Sequence, residues 1–478
     1  MAGQKMLKFT KVERDMPEKR VPSLRTSDFD EIYRQYAQVK AAEQSSRCSQ
    51  CGVPFCQDHC PLHNNIPDWL KLTAEGRLQE AYEVSQATNQ FPEICGRICP
   101  QDRLCEGSCV IEQSGHGTVT IGSVEKYITD NAWEQGWVKP IKPNVERIES
   151  VGIIGAGPAG LAAADVLRRA GVQVVIYDRY DRAGGLLTYG IPGFKLEKNV
   201  VERRNELLAK GGVTFCLNTN IGSDMSFAAL QAKHDAVLIG TGVYKSRDLR
   251  GPGVGLNGIV RAIDYLTASN RQNFGDVVPE IESGDLWAEG KKVVVIGGGD
   301  TAMDCVRTAI RQGATSVKCL YRRDKVNMPG SQRETANAEE EGVEFVWLSA
   351  PIGFHGEDVV TGVHVQQMRL GVPDVTGRQA PEKIAGADYI EEADLVIKAL
   401  GFEPEELPTL WDMPELEVTR WGTIRADFVT KRTALAGVFA AGDIVRGASL
   451  VVWAIADGRD AANSILEDLN SRASVAAE

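Results

Sequence analysis

Short apolar runs and glycine turns divide this chain into three regions. Up to about residue 145 the apolar positions form no strand-like run, and the pattern predicts mostly helices. The next region opens with the apolar run 151–154, followed by a glycine turn and an alanine-rich stretch. The same order returns from residue 293, about 142 residues later. Strand, turn and helix therefore occur twice, which predicts two copies of one supersecondary unit in an α/β fold.

The first glycine turn matches the dinucleotide-binding fingerprint. Gly155 allows the tight turn, Gly157 lets the backbone approach a pyrophosphate, and Gly160 lets helix and strand pack closely. The helix that includes Pro158 and Ala159 would offer free N–H groups to the anion.

The strand after this turn ends in an acid. The run 174–177 leads into Asp178, which lies 23 residues after Gly155. A carboxylate at this place would bind ribose hydroxyls. The glycine turn alone is a weak signal, but with this strand and acid it favours a nucleotide site over a purely structural turn.

The second glycine turn is a variant of the same fingerprint. It reads G-x-G-x-x-A, with Gly297, Gly299 and Ala302 at the fixed positions. Thr301 lies inside the turn. Asp300 is either a ligand-side residue or a helix cap, of which we favour the cap. The turn predicts a second nucleotide site.

The two units differ in the residue that would read the ribose. Where the first has Asp178, the second has Arg322 followed by Arg323. An acid suits a free 2′-hydroxyl and an arginine suits a 2′-phosphate. We therefore predict FAD at the first turn and NADPH at the second, with Lys325 as a further candidate phosphate contact. The alternative is that the arginines belong to a solvated loop.

Cysteines are concentrated in the helical region. Eight of the 11 lie between residues 48 and 109, which in an intracellular protein indicates metal rather than disulfides. Eight thiolates suit two [4Fe–4S] clusters, with structural zinc as the alternative. The eight are Cys48, Cys51, Cys56, Cys60, Cys95, Cys99, Cys105 and Cys109.

The remaining cysteines, Cys216, Cys305 and Cys319, are isolated in the sequence. We interpret them as small buried hydrophobic residues. Without a closely spaced redox pair after Cys109, reduction of a dithiol partner is not expected. A flavin accepts a hydride and releases single electrons, so the clusters are the expected exit for those electrons.

Charge and hydropathy exclude some partners. The 478 residues carry a net charge of −12, which argues against a nucleic-acid partner. The first ten residues show no secretory signal, and no clean apolar run reaches the roughly 20 residues of a membrane span. We therefore expect a cytoplasmic protein that binds neither nucleic acid nor membrane.

Taken together, these segments resemble the small (β) subunits of NADPH-dependent glutamate synthase. The resemblance rests on the cysteine segments, both glycine turns and the runs 184–192 and 442–448, and it covers about residues 20–469. With it we expect a glutathione-reductase-like arrangement. The expected domains are a helical domain with two [4Fe–4S] clusters over 1–145, an FAD-binding domain over 146–285 with 405–478, and an NADPH-binding domain over 286–404.

The resemblance also implies site residues. Around the flavin, with Asp443 on its ribityl chain, we predict Gly185, Leu186, Gly242, Gly442, Asp443, Ser449, Leu450 and Val451. One cluster would be bound by Cys48, Cys51, Cys56 and Cys109, and the other by Cys60, Cys99 and Cys105. The last ligand of the second cluster is either Glu125, which we favour, or Cys95; otherwise Glu125 is a surface helix residue.

The implied function is electron input. A member of this family oxidises NADPH at FAD and relays electrons through its clusters to a large (α) subunit. That subunit contains FMN and makes L-glutamate from L-glutamine and 2-oxoglutarate. The alternatives are a paralogous subunit that serves another oxidoreductase, and a zinc-stabilised nucleotide-binding scaffold without turnover. We predict no catalytic acid or base, because hydride transfer depends on cofactor geometry.

Overall fold

A helical region precedes the first sheet in the computed structural model, which describes residues 5–375 and 377–477. The region is helical, as the sequence predicts, and its helices pack around a core that includes the fully buried Trp69, Val124 and Ile128. Short 3-10 turns cover Lys8–Thr10 and Gln101–Arg103. The helices are α1 (Pro22–Arg25), α2 (Gln38–Ser45), α3 (Phe55–Asp58), α4 (Ile66–Ala74), α5 (Leu78–Gln86), α6 (Pro92–Ile98), α7 (Val110–Gln113) and α8 (Ile121–Glu134).

The first sheet is parallel and contains the first glycine turn. Its strands are β1 (Ser150–Ile154), β2 (Gln173–Tyr177), β3 (Thr214–Cys216), β4 (Ala236–Ile239) and β15 (Val438–Ala440), in the order β15-β4-β1-β2-β3. The helices of this unit are α9 (Pro158–Arg169), α10 (Leu186–Tyr189), α11 (Lys198–Lys210), α12 (Phe227–Lys233), α18 (Asp443–Arg446) and α19 (Val451–Ala477). Helix α19 packs so closely on α9 that a Cβ on Gly458 would lie 2.1 Å from the carbonyl oxygen of Ala159.

A second parallel sheet contains the second glycine turn. Its strands are β6 (Ile259–Arg261), β7 (Lys292–Ile296), β8 (Ser316–Tyr321), β9 (Glu344–Trp347) and β13 (Leu395–Lys398), in the order β6-β13-β7-β8-β9. The helices that follow β4 and precede β15 are α13 (Ala262–Asn273), α14 (Pro279–Glu282), α15 (Asp300–Arg311), α16 (Gln332–Glu340) and α17 (Leu407–Leu410). An antiparallel sheet is built from β10 (Ser349–Gly356), β11 (Val360–Pro373) and β12 (Gln379–Glu392).

The second unit begins earlier than the predicted boundary at residue 285. Strand β6 pairs in parallel with β13, so it belongs to the second sheet. Strand β6 has only three residues, all of them half-exposed or exposed, and is therefore too short to show a hydrophobic pattern in the sequence. The chain passes between the two units through a small ladder, in which β5 (Lys245–Ser246) pairs with β14 (Phe402–Glu403).

The predicted fold class is confirmed: a helical domain is followed by two units that each contain a parallel sheet with a glycine turn. Within the part of the chain that the structure describes, no helix is long and apolar enough to cross a membrane.

Candidate functional site

Three glycines shape the first turn as its fingerprint predicts. Gly155 has a φ of 106°, and a Cβ there would lie 2.4 Å from the carbonyl oxygen of Gly240. A Cβ on Gly160 would lie 2.0 Å from the carbonyl oxygen of Gly155, so helix and strand touch here. By contrast, a Cβ on Gly157 would meet no atom within 4 Å. The open side of Gly157 is the place where a pyrophosphate can approach the backbone.

An open cleft lies at this turn. It continues into a second cavity, which shares Gly155 and Asp178 with it. The predicted residues that line the first cleft are Gly155, Gly157, Pro158, Ala159, Asp178, Leu186, Gly242, Asp443, Ser449, Leu450 and Val451. Residues distant in sequence thus meet in one elongated cleft, which combines a glycine turn with two carboxylates as a dinucleotide site does.

Three predicted glycines act from outside the lining of this cleft. Gly160 packs beneath the turn as described above. A Cβ on Gly185 would lie 2.9 Å from the Cα of Gly157, and one on Gly442 would lie 3.0 Å from the Cβ of Ala159. These glycines permit the close packing that forms the cleft.

Sequence reasoning missed five lining residues, Gly240, Thr241, Tyr244, Ala441 and Ala454, of which Thr241 and Tyr244 have polar side chains. The Thr241 hydroxyl is buried, and no described residue offers it a hydrogen-bond partner. A buried polar atom of this kind is rare unless a ligand or water satisfies it. The signal in the sequence was the Gly-Thr-Gly turn after β4, of which we had selected only Gly242.

Two carboxylates in the cleft are held by local hydrogen bonds. Asp178 accepts the N–H groups of Ala156 at 2.6 Å and Tyr180 at 2.9 Å. Burial nevertheless raises the pKa of the Asp178 carboxyl. Burial also raises the pKa of Asp443 to about 6, although the Ser449 hydroxyl donates to this carboxylate at 3.0 Å. A ligand with hydroxyl donors would relieve the cost of both burials.

The second turn repeats the same geometry. A Cβ on Gly297 would lie 2.3 Å from the carbonyl oxygen of Ala399, whereas a Cβ on Gly299 would meet no atom within 4 Å. Ala302 is fully buried at the position of the third glycine, and Thr301 beside it is half-buried. The backbone is therefore open for a second pyrophosphate at Gly299.

The predicted role of Asp300 as a helix cap is wrong. Gly299 is the N-cap residue, and Asp300 already lies inside α15 as its first residue. Its carboxylate accepts the N–H of Ser331 at 2.9 Å instead of an N–H of its own helix. The side chain therefore ties the turn to the segment before α16.

Arg322 and Arg323 follow β8, at the same edge of the sheet as the second turn. Arg322 is exposed, and the buried Nε of Arg323 has no hydrogen-bond partner among the described residues. Donors of this kind suit a phosphate. Lys325 differs, because its ammonium binds the Glu339 carboxylate at 2.7 Å.

The cysteines separate into two groups. One group lines a cavity and contains Cys60, Cys95, Cys99, Cys105 and the carboxylate of Glu125. The other contains Cys56, whose pKa is raised by burial to about 12 with further contributions from the thiols of Cys48, Cys109 and Cys51. The two predicted ligand sets are compatible with this grouping and stay a prediction.

Both candidates for the last ligand lie in the cysteine cavity. Glu125 is on α8 but is buried rather than at the surface, and burial raises its pKa to about 8. Asn89 donates to the Glu125 carboxylate at 3.2 Å and accepts from the Cys95 thiol at 3.7 Å. Either side chain can reach a ligand in this cavity, and the choice between them stays a prediction.

The spacing of the cysteines bears on the metal. Among residues 5–375 and 377–477, no three His, Cys, Asp or Glu side chains converge closely enough to hold one metal ion. A zinc site needs its sulfur ligands about 2.3 Å from a single ion. In a four-iron cluster each cysteine binds its own iron, so the sulfurs are farther apart. A four-iron cluster therefore does not require its cysteine sulfurs to converge on one point, as a zinc site does.

Of the isolated cysteines, Cys305 and Cys319 are fully buried, as predicted. Cys216 is only half-buried, because it ends the edge strand β3.

Comparison with known proteins assigns both parts of the chain. Residues 25–137 match the family described as dihydropyrimidine dehydrogenase domain II, 4Fe-4S cluster, and residues 149–458 match the family described as pyridine nucleotide-disulphide oxidoreductase. The chain is 68% identical to the glutamate synthase [NADPH] small chain of Azospirillum brasilense over 465 residues, which cover 97% of this chain and 96% of that one. The chain belongs to the family of glutamate synthase [NADPH] small chains. It is an oxidoreductase that combines a 4Fe-4S domain with a pyridine-nucleotide flavoprotein fold.

The chain is also similar to proteins that are not named as glutamate synthases. The Escherichia coli protein AegA, named as an oxidoreductase, is 44% identical over 481 residues, which cover 98% of this chain and 72% of AegA. Mycobacterium tuberculosis FprA, solved in complex with NADPH, matches with a TM-score of 0.58 and 20% identity over 69% of this chain and 86% of FprA. The likeness to FprA concerns the fold alone.

The cleft and the cysteine cavity meet at the start of α19. Val451 lines the cleft of the first turn, and its neighbour Val452 lines the cysteine cavity. Arg459, two turns further along α19, donates to the carbonyls of Leu62 at 3.3 Å and Thr88 at 2.9 Å. The helix is thereby fixed to the cysteine-bearing domain.

Proposed function

We propose that this chain is the electron-input subunit of glutamate synthase. It oxidises NADPH at FAD and relays the electrons through two [4Fe–4S] clusters to a large (α) subunit. The large subunit contains FMN and forms L-glutamate from L-glutamine and 2-oxoglutarate. The family assignment supports the complex, and the chemistry of the two clefts supports the cofactors.

The observation that carries this proposal is the contact between the cleft and the cysteine cavity. Adjacent residues of α19, Val451 and Val452, line one each, so the same stretch of helix would contact both a bound flavin and a bound cluster. A flavin supplies the conversion of a hydride into single electrons. Gly157 and Asp443 would hold the flavin, and the apolar side chains of Val451 and Val452 lie where its cleft adjoins the cysteine cavity.

Purification of the native complex tests the proposed partner. A pull-down of this chain from its own cells is expected to capture a large FMN-containing chain with an N-terminal cysteine. Glutamate should form from glutamine, 2-oxoglutarate and NADPH only when both chains are combined. NADPH oxidation without glutamate formation in the recombined complex contradicts the proposal.

A second candidate is supported by the similarity to AegA, which is 44% identical but is not named as a glutamate synthase. In this case the same NADPH, FAD and cluster chemistry would serve another oxidoreductase. A captured partner that lacks FMN and glutaminase activity favours this candidate.

Cys51→Ala is expected to remove about half of the iron and to leave the FAD content unchanged. Cys51 belongs to the group around Cys56, and the other group lies in a separate cavity. Each cluster needs about four ligands, so the iron content should fall from about eight to about four atoms per chain.

Iron and flavin contents of the purified variant check this prediction. Cys305→Ala is the matched control, because Cys305 is buried in α15 away from both groups and should keep all the iron. Full iron retention by Cys51→Ala shows that Cys51 is not a ligand.

Replacing Arg322 and Arg323 with glutamine is expected to weaken NADPH binding by roughly 30-fold. The two guanidinium groups would lose charge-assisted hydrogen bonds to the 2′-phosphate, a loss of about 2 kcal/mol. NADH lacks this phosphate, so its affinity should change less than about threefold.

The dissociation constants of NADPH and NADH, measured by flavin or protein fluorescence, show whether the two arginines bind the 2′-phosphate. Lys325→Gln is the control, since its ammonium is bound to Glu339 at 2.7 Å and the NADPH preference should survive. Equal losses for NADPH and NADH in the double variant reject the phosphate site.

A further inference from the structure

Segment 329–333, which leads into α16, contacts the second glycine turn. The N–H of Gly330 donates to the carbonyl of Gly298, and the N–H of Ser331 donates to the Asp300 carboxylate, both at 2.9 Å. A Cβ on Gly330 would lie 3.2 Å from the same Gly298 carbonyl. A ligand that displaces this turn therefore acts directly on the segment.

The other side of this segment contacts the cysteine-bearing domain. The Arg333 guanidinium donates to Oε1 of Gln101 and, at 3.5 Å, to the carbonyl of Cys99. The Ser331 hydroxyl lies 3.4 Å from a carboxylate oxygen of Asp102. One short segment thus joins the second glycine turn to the part of the helical domain that contains Cys99.

Gln101, the partner of Arg333, organises the cysteine cavity. It is 1% exposed and lines that cavity. Its Nε2 donates to the carbonyl of Cys95 at 3.3 Å, and its own carbonyl accepts the N–H of Glu106, next to Cys105, at 2.9 Å. A shift of Arg333 is therefore passed to the backbone of several cysteines.

We propose that Arg333 raises the reduction potential of the cluster bound by Cys60, Cys99 and Cys105, and that nucleotide binding at the second turn changes this potential through Arg333. The proposal rests on the proposed function, which assigns the cluster and the nucleotide. A guanidinium is always charged, and Arg333 donates its hydrogen bonds here to an amide and a carbonyl, while the carboxylates of Glu106, Glu334 and Asp102 lie near it and offset part of its charge. Positive charge near a cluster favours the reduced form, which carries one more electron.

Potentiometric titration followed by electron paramagnetic resonance measures this effect without NADPH or a partner chain. Arg333→Gln should shift the reduction equilibrium at least tenfold toward the oxidised cluster, which is about 59 mV for a one-electron couple. Arg333→Lys keeps the positive charge, so the cluster in this variant should have a reduction potential close to that of the unsubstituted chain. The other cluster of each sample, the one that depends on Cys51, is the internal control and should keep its potential.

Adenosine 2′,5′-bisphosphate tests the nucleotide half of the proposal, because it carries the 2′-phosphate but cannot be reduced. Saturating the unsubstituted chain with this probe should change the reduction equilibrium of the same cluster at least threefold. The change should vanish in Arg333→Gln.

Gln101→Glu is a second variant for the case in which Arg333→Gln loses the cluster. It places a carboxylate against the guanidinium, which offsets its charge, and it also removes the Nε2 donor to the carbonyls of Cys95 and Gly96, so both changes should lower the potential. The proposal is overturned if a variant that retains its cluster has a reduction equilibrium constant within threefold of that of the unsubstituted chain. It is equally overturned if the probe has no effect on the unsubstituted chain or the same effect on the variant. An unsubstituted chain with only about four iron atoms instead contradicts the proposed function, which the iron content reveals before any titration.

Discussion

Glu341→Gln is expected to lower the free energy of unfolding by about 3–5 kcal/mol, the cost of breaking a buried ion pair from one side. The Glu341 side chain is fully buried and accepts hydrogen bonds from three arginines, Arg25, Arg307 and Arg311. Without the carboxylate, three buried guanidinium groups would face one another with their principal counter-charge removed.

The geometry of this cluster explains why the expected effect is large. Nitrogen–oxygen distances run from 2.7 Å for Arg311 to 2.8 Å for Arg25 and Arg307. The ring of Phe194 lies 3.9 Å from the Arg311 guanidinium carbon and 4.4 Å from that of Arg307. Arg25 belongs to the helical domain, Phe194 to the first unit and Glu341 to the second, so the cluster joins all three parts of the chain.

The pKa of Glu341 gives this prediction a pH dependence. Burial alone would raise the pKa, but the hydrogen bonds from Arg307 and Arg311 outweigh it and hold the pKa at about 2, below the ordinary 4.5. The folded pKa is depressed, so the stabilisation is fully present above pH 4.5 and is lost as the pH falls toward 2. The shift corresponds to about 3 kcal/mol.

Urea unfolding followed by circular dichroism, at pH 7 and at several values below pH 4.5, checks both statements. Glu417→Gln is the control, because Glu417 and its partner Arg425 are both exposed and such a pair contributes at most about 1 kcal/mol. A Glu341→Gln variant with an unchanged midpoint, or with the same acid sensitivity as the unsubstituted chain, contradicts the assignment.

Local sequence was sufficient to predict the two nucleotide turns. The backbone conformation at Gly155 and Gly297 depends on neighbouring residues and on the strand just before each turn. Spacing along the chain also placed Asp178 and Arg322 correctly at the ends of the second strands, because strand and helix lengths in this unit vary little.

The contacts between distant segments could not be predicted in this way. Arg25 and Glu341 are 316 positions apart, and nothing in either local sequence indicates the other. The same applies to Arg333, which reaches Gln101 from 232 positions away. For Asp300, the local pattern favoured a cap, but the tertiary contact with Ser331 determined its role.

Gly157→Ala is expected to weaken FAD binding at least tenfold while the protein still folds. A methyl group on Gly157 meets no protein atom within 4 Å, and the backbone there is extended, with a φ of −81° and a ψ of −176°. The added methyl would instead occupy the space of the pyrophosphate, and crowding of this size costs about 1–3 kcal/mol.

The second turn provides the matched control, because a methyl group on Gly299 also meets no protein atom within 4 Å. Gly299→Ala should retain FAD and lose NADPH affinity at least tenfold, whereas Gly157→Ala should lose FAD first. The flavin absorbance of the purified variants and their NADPH dissociation constants measure the two effects. Gly160→Ala should differ from both by destabilising the fold itself, since its methyl group would lie 2.0 Å from the Gly155 carbonyl oxygen. If Gly157→Ala and Gly299→Ala lose the same nucleotide, the assignment of FAD to the first turn and NADPH to the second is wrong.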